Sequence, residues 1–516
     1  MITASQPAPT RDEALDAGAL PLVVVLALAA GPFLSMVDSS IVNVAVPDIA
    51  RSLHVALGDV QWTVSGYLLA LSSGLAATAW LAKRFGPRTV YLGGLAGFTA
   101  ASAACALAPS IHVLVAARAA QGLLGAPLIP IAIGMLTGGA GARQRSRTRD
   151  GQAAMLVMGI VLFAAPGAGP TLGGILIGAF GWPSIFLVNV PFGILGLIGA
   201  IQWRANHSPA DPGARLDPVG MVLLAGGLGL ALYGGGQGPT AGWTAPGVWP
   251  FWAGGILLVV AYVAWALRSP HPAVNLRLLR DQLASVTVAL SVVVSIVSFA
   301  ALFLLPVFMQ TVQGYSALQA GLALLPQGLV MGVGTVIGQR VASSGRLRLG
   351  ALAGSAALVL TTAALLLIDA ATPAWLTGLI LCGRGLAFGL VTQPLLVTMM
   401  GQLSGPDVAD GSTLFNVVQR VAGSFGIGLL ATLFAQRVQT RVAAELAALH
   451  VPASSAAGSW RGMSGGGLAG VPAAVATRLQ DAAVAGFHDV VWALVAASAL
   501  GVLVALLVRD PARAGD

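Results

Sequence analysis

A carboxylate and a guanidinium stand inside long apolar runs. Asp38 lies within Ser35-Met36-Val37-Asp38-Ser39-Ser40-Ile41-Val42-Asn43, and Arg118 lies within another run. A charge at the middle of a bilayer costs about 2.5–3.5 kcal/mol on insertion scales, so such residues are usually paired or functional. The chemistry open to Asp38 is the binding and release of a proton. A nearby guanidinium favours its ionised form and burial favours its neutral form. If that balance changes between two conformations, the carboxylate loads and unloads a proton. A fixed structural salt bridge is the alternative role. Asp369 stands at the end of its run, where it reaches water.

Other residues share faces with these. Arg118, Gln121, Gly122 and Gly125 fall on one helical face by i+3/i+4 spacing, as do Asn416, Gln419, Arg420 and Gly423. Ala165, Gly169 and Gly173 form an i, i+4, i+8 ladder flanked by Pro166, Pro170 and Gly174. Small residues at that spacing let membrane helices approach closely. Trp62, Tyr67, Gln121, Phe303, Gln310, Gln393, Phe415 and Asn416 are candidates for a substrate cavity, since aromatic and amide side chains suit an apolar, adaptable ligand.

These residues must be positioned by membrane helices. The chain has 516 residues, 57% hydrophobic and 9% charged, against roughly a quarter charged in soluble proteins. Mean hydropathy is +0.86. About fourteen runs are long enough to span a bilayer, at roughly 20 residues each. The fold class expected is therefore an all-α membrane protein.

The basic residues orient it. With the N-terminus inside, 18 of the 26 Lys and Arg residues fall on the cytoplasmic side and five outside. The remaining three, Arg118, Arg384 and Arg420, lie within spans. That asymmetry places both termini in the cytoplasm.

The runs also repeat with an offset of eight. The basic turn holding Lys83, Arg84, Gly86 and Arg88 has a counterpart at Arg340–Arg346, and Arg118 has one in Arg384. This divides the chain into a tail 1–19, a six-helix half 20–203, a two-helix insert with linkers 204–282, a second six-helix half 283–508 and a tail 509–516. The second half includes an outer loop, 437–485, with two amphipathic stretches. Paired halves with a site at their interface are the plan of a secondary transporter.

Several functions are excluded. Lys83 is the only lysine and no Gly-rich phosphate loop surrounds it, so ATP is not the expected energy source. The basic residues form no single face for nucleic acid. The span residues supply no set of nucleophile, base and oxyanion donors for an enzyme. No cofactor or metal is expected. The partners expected are the lipid bilayer and a hydrophobic small molecule, with a monomer as the assembly.

In its motifs the chain resembles the major facilitator superfamily, specifically the fourteen-helix drug:proton antiporters of the EmrB/QacA type. The resemblance rests on Asp38-Ser39-Ser40-Ile41-Val42-Asn43-Val44-Ala45-Val46-Pro47, Gln61-Trp62-Thr63 with Tyr67-Leu68, and Arg118-Ala119-Ala120-Gln121-Gly122. It also rests on Gly169-Pro170-Thr171-Leu172-Gly173-Gly174, Phe186-Leu187-Val188-Asn189-Val190-Pro191 and Gly314-Tyr315-Ser316-Ala317-Leu318-Gln319-Ala320-Gly321.

It implies two six-helix halves plus two inserted helices in a bacterial plasma membrane. It implies export of hydrophobic or amphipathic compounds, often cationic drugs, with protons as the coupling ion. Asp38 and Arg118 would then serve coupling, Gly169, Pro170, Gly173 and Gly174 would gate the halves, and Lys83, Arg84, Gly86 and Arg88 would form the inner-gate loop.

The chain departs from the pattern where Lys83 replaces the usual aspartate of that loop and where span 13 carries no acid. A dedicated exporter of one metabolite, antibiotic or lipid shares the same motifs. A non-transporting sensor or assembly partner is a third reading.

Overall fold

A computed structural model describes residues 22–137, 168–201, 216–270, 272–403, 407–448 and 473–510. All regular structure among them is helical. The first half holds α1 (Leu22–Ile41), α2 (Val46–Leu53), α3 (Leu57–Phe85), α4 (Pro87–Ala106), α5 (Ile111–Gly125) and α6 (Leu128–Thr137). It continues with α7 (Ala168–Phe180), α8 (Ser184–Leu187) and α9 (Asn189–Ile201). Two helices follow, α10 (Pro218–Ala241) and α11 (Trp249–Arg268). The second half holds α12 (Gln282–Thr311), α13 (Ala317–Ser343), α14 (Leu347–Ala363), α15 (Ala374–Gln402), α16 (Asp407–Ala448) and α17 (Ala473–Ala505).

Among the described residues, 12 helices are long and apolar enough to cross a membrane. The expected second and fifth spans fall on α3 and α7, which lie outside those 12. α3 is 29 residues long and carries buried Gln61, Thr63, Ser65, Ser72 and Thr78. Its hydroxyls turn back onto their own helix: Thr63 donates to Val60 O, Ser65 to Gln61 O, Ser72 to Leu68 O and Thr78 to Gly74 O. Each thereby keeps a partner without water. α7 is a shorter apolar helix. Ala165, Pro166 and the basic loop 143–150 lie outside the described residues.

Helix ends follow local chemistry. α3 stops at Gly86, whose φ of +82° suits glycine, and Pro87 opens α4 at once. Ser316 and Gln319 form a reciprocal capping box that starts α13. Asp281 caps α12 through the Ala284 amide at 2.8 Å. Within the expected loop 437–485, α16 continues to Ala448 and α17 begins at Ala473. Arg441 ties the α16 extension to α17 through both oxygens of Asp489, at 2.9 and 2.8 Å.

The two halves pack alike. α3 lies on α5 in the first, and α13 lies on α15 in the second. Glycines allow both approaches. A Cβ on Gly122 would come within 2.4 Å of Tyr67 O, and one on Gly385 within 2.2 Å of Gln327 O. α3 and α16 join the halves, and α10 lies against both of them.

Candidate functional site

Asp38 and Arg118 meet at the centre of the first half, both fully buried. α1 brings the carboxylate and α5 the guanidinium. Arg118 Nη1 donates to Asp38 Oδ2 at 2.5 Å and to Gln121 Oε1 at 2.7 Å. Its Nε donates to Thr63 O on α3 at 2.9 Å. Gln121 Nε2 and Asn189 Nδ2 each donate to Asp38 Oδ1 at 3.0 Å. Asn189 also donates to Ser102 Oγ at 3.0 Å, and Ser102 donates to Phe186 O at 2.9 Å. Five helices, α1, α3, α4, α5 and α9, thus contribute to one polar cluster, with α8 supplying the Phe186 carbonyl.

An ionised carboxylate only accepts, and three donors point at this one. The geometry is that of the charged form. A proton placed on Oδ1 would turn that oxygen into a donor facing the amides of Gln121 and Asn189. Those two amides would have to turn away from such an oxygen. Aromatic rings seal it. The Tyr67 ring centroid lies 4.0 Å from the Arg118 guanidinium carbon and that of Phe186 lies 5.6 Å away. Arg118 Nη2 is buried without a partner.

The glycine motif of α7 has two faces. A Cβ on Gly169 would meet Ser40 Oγ at 2.0 Å, and one on Gly173 would meet Ile41 Cγ1 at 2.8 Å, both on α1 of the same half. A Cβ on Gly174 would meet Ala317 O at 2.5 Å, and one on Gly321 would meet Pro170 O at 2.3 Å, which is contact between the halves. Thr171 donates across the same seam to Gly321 O at 3.0 Å.

More bonds cross nearby. Gln310 donates to Val44 O at 2.9 Å, Gln61 to Thr432 Oγ1 at 3.3 Å and Ser424 to Ser65 O at 2.9 Å. All these lie toward the end of the bundle that holds Val44.

At the opposite end, Arg88 Nη2 donates to Ile201 O at 2.7 Å, tying α4 to the end of α9. Lys83 is exposed, and Arg84 lies beside it in the last turn of α3. At the Val44 end and outside the spans, burial raises the Asp48 carboxyl above the usual carboxylate range against the pull of Arg51. The Thr372 hydroxyl holds Asp369 below that range.

The candidate cavity residues do not form one group. Tyr67 and Gln121 belong to the Asp38 cluster. Trp62 faces Tyr233 of α10, with ring centroids 6.2 Å apart. Phe303 is buried in the main core, and Phe415 packs with Ala284 and Met399 in a small separate cluster. Asn416 donates to Ser412 O on its own helix at 2.9 Å. Gln310 holds the seam. The side chain of Gln393 lies outside the described residues. These aromatic and amide side chains look alike in sequence, but tertiary packing sends them to different places.

Sequence reasoning passed over Asn189, Ser102 and Thr63 as members of the site. The available signal was Asn189 itself, an amide opening a 13-residue apolar helix. Thr63 contributes only its carbonyl, which no sequence pattern marks.

Residues 28–427 match the Major Facilitator Superfamily. The chain is 32% identical over 438 residues to the multidrug resistance protein B homolog of Mycobacterium tuberculosis, covering 81% of this chain and 77% of that protein. It is 33% identical over 433 residues to the tetracenomycin C resistance and export protein of Streptomyces glaucescens, with the same shares covered, 81% and 77%. Its fold is similar to the crystal structure of a bacterial homolog of the human lysosomal transporter Spinster in an inward-facing, unoccupied conformation. There the TM-score is 0.64 at 15% identity, over 95% of this chain and 98% of that one. The family match covers most of the chain, and the paired helical halves carry its architecture: this chain belongs to the major facilitator superfamily and is a multi-pass membrane transporter.

Proposed function

We propose that the protein is a proton-driven antiporter that exports hydrophobic or amphipathic compounds from a bacterial cell by alternating access. The observation that carries this reading is the Asp38–Arg118 pair, which is fully buried, ionised in its geometry and linked to five helices. A neutralising proton on Asp38 releases its hold on Arg118, Gln121 and Asn189 together. That release frees α1 to move against α5 and α9, so protonation and conformation are coupled.

The reading takes fourteen spans, the 12 apolar helices plus α3 and α7. It takes both termini as cytoplasmic, from the distribution of basic residues. The Val44 end then faces outward, and the bonds of Gln310, Thr171, Gln61 and Ser424 close the outer side. Gly174 and Gly321 permit that closure. The relatives named for drug resistance and antibiotic export support the substrate class.

The test is dye efflux from cells expressing wild type or Asp38→Asn, with a protonophore added to half of each sample. Efflux of ethidium or other amphipathic dyes should stop with either the variant or the protonophore. Efflux that persists in Asp38→Asn under a proton gradient would falsify the coupling role.

A further inference from the structure

Once the Asp38 cluster is assigned, two buried guanidiniums of the second half remain. Arg384, on α15, is 1% exposed. Its Nη1 donates to Thr362 Oγ1 at 2.6 Å and its Nη2 to Val297 O at 3.2 Å, while its Nε is buried without a partner. Arg420, on α16, also has a buried and unpartnered Nε. The ion pairs among the described residues join Arg51 to Asp48, Arg118 to Asp38, Arg441 to Asp489 and Arg478 to Glu445. Neither Arg384 nor Arg420 takes part. Asp38 cannot serve them, since Arg118, Gln121 and Asn189 already occupy it.

The two arginines differ in access. Arg384 is sealed between α12, α14 and α15. Arg420 keeps partial exposure and sits on α16, the helix that packs against α3 across the halves. One turn further along α16, on the same face, Ser424 donates across the seam to Ser65 O at 2.9 Å. Ser65 lies two residues before Tyr67 on α3, and the Tyr67 ring covers the Arg118 guanidinium at 4.0 Å. Arg420 therefore stands one helical turn from a bond that joins the two halves.

A guanidinium in this position without a counter-charge is costly, and the cost is recovered when an anion arrives. A planar guanidinium also suits a carboxylate, which it can hold with two parallel bonds.

We propose that the cargo is an amphipathic organic anion, a carboxylate or acidic phenol on an apolar body, whose charged group is held by Arg420. This rests on the export reading above and narrows its substrate class. It departs from the cationic drugs that the motif resemblance implies.

The experiment uses the full-length protein in liposomes loaded at neutral pH, with the outside then acidified. The probes are fluorescein, an anion, and rhodamine 123, a cation on the same ring skeleton. Dye remaining is measured after detergent lysis at one fixed pH. Wild type should export fluorescein at least about tenfold faster than rhodamine 123. Arg420→Gln should lower the ratio of fluorescein to rhodamine efflux by about tenfold or more, the loss of a charge-assisted hydrogen bond. Arg420→Lys keeps the charge without the fork and should lower the ratio several-fold. It decides the matter if Arg420→Gln does not fold.

Faster rhodamine efflux in wild type, or an unchanged ratio in both variants, overturns the proposal. Rhodamine efflux that a protonophore stops, with no fluorescein efflux, sinks the anion class and keeps the antiport reading. Fluorescein efflux indifferent to the protonophore does the reverse. If neither dye moves, both fall.

Discussion

Gln310 donates through Nε2 to the backbone carbonyl of Val44 at 2.9 Å, and this bond runs from the second helical half to the first. It holds the end of α12 against the turn that follows α1. Its acceptor is a carbonyl just past the last turn of α1, so it reports on where that helix ends in this conformation. Removing one such bond costs about 0.5–1.5 kcal/mol, roughly a two- to tenfold change in a conformational equilibrium. Gln310→Leu should shift the protein by that amount toward opening at the Val44 end. Spin labels at Leu107 and Leu367, which are 79% and 68% exposed, would report the change as a longer distance distribution.

Gly174 should be far less tolerant. A side chain there meets backbone of the other half, with Ala317 O and Leu318 Cα both at 2.5 Å. Overpacking of this kind costs about 1–3 kcal/mol. Gly174→Ala should depopulate the closed arrangement and slow efflux, with the protein still monodisperse. One turn on, a Cβ on Gly178 would have nothing within 4 Å, so Gly178→Ala should match wild type in both the label distances and the rate.

The buried pair makes an asymmetric prediction. In Asp38→Asn, Arg118 keeps its bonds to Thr63 O and Gln121 Oε1. In Arg118→Leu, Asp38 keeps only two amides and a bare buried charge. Removing one partner of a buried pair costs about 3–5 kcal/mol. Arg118→Leu should therefore lower the melting temperature more than Asp38→Asn. The double variant should regain stability relative to Arg118→Leu while remaining unable to couple. Thermal unfolding in detergent, followed by intrinsic fluorescence, separates these cases.

The helices α10 and α11 have their own fastening. Asp217 accepts from Gly220 N at 2.8 Å, Trp265 Nε1 at 2.9 Å and Ala273 N at 2.9 Å. Asp217→Ala strands three donors at a mostly buried site, a loss of about 1–3 kcal/mol or more. It should loosen α10 from α11 and red-shift the Trp265 emission, with a smaller effect on the rest of the bundle. Equal destabilisation of the helices before α10 and after α11 would contradict this local role.

The parts of this architecture legible in the sequence are those set by the cost of charge in lipid. Asp38 and Arg118 stand out because little else in the spans is charged, and Gln121 follows Arg118 by one helical turn. Asn189 escaped because an amide opening an apolar helix has no periodic signature. The glycine motif was legible as a packing surface, but neighbouring residues on a helix face different partners. Gly173 therefore meets α1 while Gly174 meets α13. The cavity candidates could not be sorted because burial, which separates Phe303 from Trp62, depends on how distant helices cross.

The Asp38–Arg118 pair also has an order in time. The two residues are 80 positions apart, with α2, α3 and α4 between them. During synthesis α1 leaves the ribosome long before α5 exists. Asp38 must therefore enter the bilayer without its cation, at a cost of about 2.5–3.5 kcal/mol if it is ionised. The strongly apolar residues around it, Val24 to Leu34, have to carry that burden alone. The ion pair then closes only when α5 arrives. The pair that gathers five helices thus also orders their assembly, since a chain stalled before α5 holds an uncompensated carboxylate.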